Sequence, residues 1–179
     1  KSAGYTADHL NVDASCGAFL ARYAERYDDR EARAAAGRAA ENVVFHQRDG
    51  IYPYAVDKGT YPYVFDLPCI HYQGVTIYYL AKANDVLCDD RIDRSIAEAA
   101  RWLAAAQRPD GRFDWSGSGL SFACYLSGAY AFAQASFTYA SRLDDRYREH
   151  ADRSLGWLDA NVRGLAPRWE PASWGDLPL

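Results

Sequence analysis

The sequence predicts an all-α chain of tandem helical hairpins, each pairing a buried inner helix with an amphipathic outer one, about three hairpins in all. Three observations predict it. An acidic pair followed by arginine recurs as Asp28-Asp29-Arg30, Asp89-Asp90-Arg91 and Asp144-Asp145-Arg146, at separations of 61 and 55 residues. In the first two copies a glycine, Gly50 or Gly111, follows the second aspartate by 21 residues. Between each acidic pair and its glycine, apolar residues repeat with helical period.

The outer helices are the clearest elements. Over 91–107, Ile92, Ile96, Ala100 and Leu103 share one face, and Arg94, Glu98 and Arg101 the other. Over 146–162 the apolar set is Tyr147, Ala151, Leu155, Leu158 and Val162. Aspartate suits their N-termini as a cap and as a charge against the helix dipole. Glycine suits their ends. Before each acidic pair lies a helix with little polar face: about 14–26, then 70–86, then 120–141. Such helices must be covered on all sides. The resulting layout is a single domain over 1–179, with hairpins at about 8–47, 70–107 and 120–162 and linkers at 48–69 and 108–119.

The phrase Gln107-Arg108-Pro109-Asp110-Gly111-Arg112-Phe113, with its shorter echo Gln47-Arg48-Asp49-Gly50-Ile51-Tyr52, resembles the Gln-x-x-Asp-Gly-x-aromatic repeat of α/α-toroid proteins. That group includes terpene cyclases, prenyltransferases, and six-hairpin polysaccharide lyases, epimerases and glycosidases. The resemblance implies a partial α/α toroid or solenoid and specifies no activity. Rings of that kind commonly use about six hairpins, so three imply association with further hairpins of the same protein, another chain or a second copy.

Composition narrows the function. A net charge of −4 with interspersed signs and no basic stripe argues against nucleic acid. No apolar run is long enough to span a membrane. With no methionine, the chain reads as a processed product or an excised piece of a longer protein. Cys16, Cys69, Cys88 and Cys124 are dispersed without a CxxC pair, so a zinc site is not expected and a reducing, cytoplasmic setting fits. The 14 tyrosines suit a wet, ring-lined cleft.

Two constellations carry chemistry. Asp89-Asp90-Arg91-Ile92-Asp93 has the form of the magnesium-binding DDxxD of isoprenoid enzymes. Its recurrence in copies that lack the third carboxylate favours helix capping instead. The linkers are richer. Residues 48–69 hold Tyr52, Tyr54, Tyr61, Tyr63 and Asp66 and run into His71 and Tyr72 at the start of an inner helix; 108–119 holds Asp114 and Trp115. Both linkers leave an outer helix and enter an inner one, so both belong at one end of the array. Helix N-termini there favour anions. The expected site is therefore a sugar cleft. His71 is the general base or acid, Asp66 orients or charges it, and Tyr72, Tyr61 or Tyr63 donates a proton to the leaving oxygen. Tyr52, Tyr54, Tyr61, Tyr63, Asp114 and Trp115 contact the substrate. The expected function is carbohydrate-active, of lyase, epimerase or hydrolase type, on a uronate-bearing poly- or oligosaccharide, with no cofactor and no metal. The alternatives are a non-catalytic helical-repeat binding or scaffold module and an isoprenoid cyclase-like enzyme.

Overall fold

The computed structural model describes residues 7–57, 68–118 and 127–162. Within them the chain forms three helical hairpins: α1 (Leu10–Tyr27) with α2 (Arg30–Phe45), α3 (Ile70–Leu87) with α4 (Asp90–Ala105), and α5 (Ser127–Leu143) with α6 (Tyr147–Val162). The helix α3 packs between α1 and α5, while α2, α4 and α6 each flank their own inner helix. This is the inner–outer alternation expected. The outer face read from the sequence of α4 is the buried one, with Ile92, Ile96, Ala100 and Leu103 all in the core.

The hairpin turns follow from local chemistry. Asp28 closes α1 in the left-handed region (φ 52°), and Asp29 then caps α2 by accepting from the Ala32 N–H at 3.0 Å. Cys88 closes α3 in the same way (φ 57°), and Asp89 caps α4 by accepting from the Arg91 N–H at 2.8 Å. Capping is thus what the acidic pairs do, but through different members: the second aspartate in the first pair, the first in the second. The structural repeat is therefore 60 residues, from Asp29 to Asp89, and not the 61 that aligning the pairs suggests.

The Gln-x-x-Asp-Gly phrases turn the chain back and dock it on the next outer helix. Gln47 Nε2 donates to the Ser95 carbonyl on α4 at 2.8 Å, and the Ser95 hydroxyl donates to Gln47 Oε1. Gln107 Nε2 donates to the His150 carbonyl on α6 at 3.1 Å and to the Ser154 hydroxyl at 2.9 Å. Gly50 (φ 78°) and Gly111 (φ 82°) sit against the backbone of Glu98 and Arg153, where neither left-handed φ nor the space admits a side chain. His150 donates from Nδ1 to Gln107 Oε1 at 2.6 Å and belongs to this joint.

Two features depart from the expected layout. Ala7–His9 (β1) is a strand, pairing antiparallel with Ala55–Asp57 (β2) in the first linker, with His9 opposite Ala55. The first hairpin therefore begins after this ribbon. Leu155, expected on the buried face of α6, is 47% exposed, because among the described residues nothing follows α6 to cover it.

Candidate functional site

The two linkers meet at the first turn of α3. Tyr54, just before β2, lies against the ring of Tyr72 at 4.5 Å. From the other linker, the Ser118 hydroxyl accepts from the Ile70 N–H at 3.4 Å, bringing the short turn at Trp115–Gly117 to the same place. Between them stands His71, edge-on to Tyr72 at 5.1 Å and to Phe132 of α5 at 6.0 Å. Its Nδ1 is buried and, among the described residues, has no hydrogen-bond partner, as is true of Trp115 Nε1 and of Asn11 Oδ1. Burial lowers the His71 pKa below the ordinary histidine value, which favours the neutral imidazole. Burial also raises the Tyr72 hydroxyl, with the neighbouring Tyr54 adding to it.

The remaining residues expected at the site divide. Tyr52 is 2% exposed; its N–H donates to Gln73 Oε1 and its hydroxyl contacts the Ser95 hydroxyl at 2.6 Å. It braces the first turn against α4 and offers a ligand no surface. Gln73, fully buried, completes that brace by donating to the Gly50 carbonyl at 2.6 Å. Asp114 is exposed and caps the Trp115–Gly117 turn through the Ser116 N–H, which with Arg108 nearby lowers its pKa. Asp66, Tyr61 and Tyr63 lie outside the described residues. The structure thus gathers His71, Tyr72, Tyr54 and Trp115 at one end of the inner helices and sets Tyr52 in the core.

The carboxylates of Asp89-Asp90-Arg91-Ile92-Asp93 do not converge. Asp89 holds the α4 N-terminus and pairs with Arg91 at 2.8 Å, which lowers its pKa. Asp93 accepts from Asn84 Nδ2 at 2.8 Å and from the Tyr139 hydroxyl at 2.9 Å. Burial, chiefly, and this bond push the Tyr139 pKa up to about 12. Among the described residues no group of three or more potential ligands could hold a metal ion. The described cysteines Cys16, Cys69 and Cys88 are free thiols.

Farther along the inner helices the structure presents a row that sequence reading missed. Arg22, Lys82 and Arg142 recur at 60-residue intervals on α1, α3 and α5. All three close on Asp85, at 3.8, 3.7 and 3.4 Å respectively. Arg22 also pairs with Glu25 at 2.8 Å. Lys82 lies 5.7 Å over the Tyr78 ring and Arg142 lies 5.2 Å over the Tyr139 ring. Between α3 and α5 they border a cleft of about 180 Å³ that also takes in Gln134 and Thr138. Rings connect this row to the linker end: Tyr78 meets Phe132 at 5.5 Å, and Phe132 meets His71. One face therefore runs from an aromatic end with a histidine to a cationic end. The capping aspartates repeat at 60 and then 55 residues, Asp29, Asp89 and Asp144, so Lys82 and Arg142 are not equivalent positions of the repeat, and packing around Asp85 is what brings the three together.

No protein-family model, curated protein or solved structure matches this chain. Among the described residues, no helix is long and apolar enough to cross a membrane.

Proposed function

We propose that this chain is a carbohydrate-active protein that binds an acidic, uronate-type oligosaccharide along the inner-helix face and transfers a proton at His71. The observation that carries the reading is the cationic cluster of Arg22, Lys82 and Arg142 around Asp85, continuous with the ring-lined seam leading to His71. The three cations outnumber Asp85 and Glu25, which leaves a net positive patch suited to a carboxylate-bearing sugar, and Tyr78, Tyr139 and Tyr72 offer the faces on which sugar rings stack. The lowered His71 pKa keeps a neutral base available at neutral pH for abstraction beside a carboxylate, the step that lyases and epimerases share. The resemblance of the Gln-x-x-Asp-Gly turns to those of α/α-toroid proteins supports the same class.

The test is calorimetric titration with oligogalacturonate and with an uncharged cello-oligosaccharide of equal length, followed by assay for unsaturated or epimerised product. The expected result is binding of the acidic ligand alone, weakened by salt, and weakened about tenfold or more in Lys82→Ala/Arg142→Ala. His71→Asn is expected to cut turnover by roughly 10²-fold while binding persists. Equal binding of both sugars, or of neither, overturns the proposal. A second reading, a non-catalytic binding module, is favoured by the lack, among the described residues, of any hydrogen-bond partner to orient His71 Nδ1. Salt-sensitive binding of the acidic sugar with no product from any acidic oligosaccharide tried would select it.

A further inference from the structure

Two helix faces meet between the inner helices α3 and α5. On α3, His71, Tyr78 and Lys82 follow one another at 7 and 4 residues, the spacing of a single face. On α5, Gly128, Ala135, Tyr139 and Arg142 do the same at 7, 4 and 3 residues. The faces meet in chain order. A Cβ built on Gly128 would touch His71 Cε1 at 3.8 Å. Phe132 then stands edge-on to both His71 and Tyr78. Beyond it, Tyr78, Lys82, Ala135, Tyr139 and Arg142 line the cleft of about 180 Å³. The seven residues of the two faces are half-buried, except Arg142, which is exposed.

The axial register of this seam is fixed from within. Ser136, fully buried, donates to the Gly74 carbonyl at 2.9 Å and ties α5 to α3 between the two ends. The distance between the ends then follows from helix geometry. At about 1.5 Å per residue, the stretch of α3 from His71 to Lys82 spans about 16 Å, the length of about three linked pyranose rings. A single sugar cannot touch both ends. At the far end Lys82 and Arg142 share Asp85 with Arg22, at 3.7 and 3.4 Å, so charge remains there for a carboxylate from outside.

Resting on the acidic-sugar reading above, we infer that the seam measures chain length: the carboxylate held by Lys82 and Arg142 belongs to a sugar about three rings away from the one at His71. About four linked uronates are then the shortest ligand that engages both ends. Shorter sugars reach one end or the other and forgo the second set of contacts.

Calorimetric titration of the full chain with oligogalacturonates of two to six sugars tests this. Affinity is expected to step up about tenfold or more between trimer and tetramer and to change little beyond it. The step should vanish in Lys82→Ala/Arg142→Ala, which removes the far anchor. It should vanish also in Ala135→Trp, whose indole would fill the cleft between the ends. Unchanged thermal unfolding would show that each variant folds, and the Lys82/Arg142 variant decides alone if the tryptophan is not accommodated. Affinity that rises evenly with length, or a step that survives Lys82→Ala/Arg142→Ala, overturns the inference and leaves the acidic-sugar reading standing. Failure of every length to bind overturns that reading, and the inference with it.

Discussion

Gly50→Ala tests how the hairpins are joined. Gly50 has φ 78°, and a Cβ built on it would sit 2.6 Å from the Glu98 carbonyl oxygen and 3.1 Å from its carbon. Two costs combine. An L side chain in the left-handed region costs roughly 1–2 kcal/mol. Relieving a contact with helix backbone, which cannot rotate away as a side chain can, costs about 1–3 kcal/mol in strain and displacement. The expected destabilisation is therefore about 2–5 kcal/mol, which for a chain of this size lowers the melting temperature on the order of 10 °C. Thermal unfolding followed by circular dichroism measures it. Gly37→Ala is the internal control. That glycine lies within α2 with nothing within 4 Å of an added Cβ, so alanine should stabilise by about 0.5–1 kcal/mol. If Gly50→Ala melts within a degree or so of the parent, the turn is not seated against α4.

Three further outcomes are expected. Gln73→Ala should destabilise by about 1–3 kcal/mol, because it leaves the Tyr52 N–H and the Gly50 carbonyl buried without partners; a change under about half a kcal/mol in urea unfolding would contradict the brace. Asp89→Ala should cost about 1 kcal/mol as a lost cap, whereas Asp89→Asn, which also caps, should cost less, and magnesium should raise the melting temperature of neither parent nor variant. Because Asp89 is held below its ordinary pKa, its contribution is present above about pH 4 and is lost as pH falls through the lower folded-state value; the gap between parent and Asp89→Ala should close there. His71 runs the other way: with its folded pKa lowered by burial, it costs nothing above about pH 6.5, and acidification below that penalises the folded state. His71→Asn should therefore lose less stability than the parent between neutral pH and about pH 5, and its NMR titration midpoint in the parent should lie below about 6.5; an ordinary midpoint would refute its half-buried position.

Local chemistry alone determined the helices and the alternation of inner with outer. A 3.6-residue apolar period, an aspartate before each outer helix and a glycine after it are short-range signals, so Ile92, Ile96 and Leu103 could be placed in the core from sequence. What the tertiary structure decided is where the long-range partners fall. Tyr52 and Tyr54 are two residues apart in one linker and look alike in sequence. One is sealed against Ser95, and the other stacks on Tyr72 near His71. His150 and Gln107 become partners only when α6 lies beside the second turn. Arg22, Lys82 and Arg142 become neighbours only when α1, α3 and α5 pack side by side around Asp85. The 60-residue interval of the first repeat is set by which aspartate caps its helix, and a capping choice depends on backbone dihedrals and hydrogen bonds that residue identity leaves open. Periodicity specifies the face a helix buries; only packing specifies which neighbour meets that face and at what axial position.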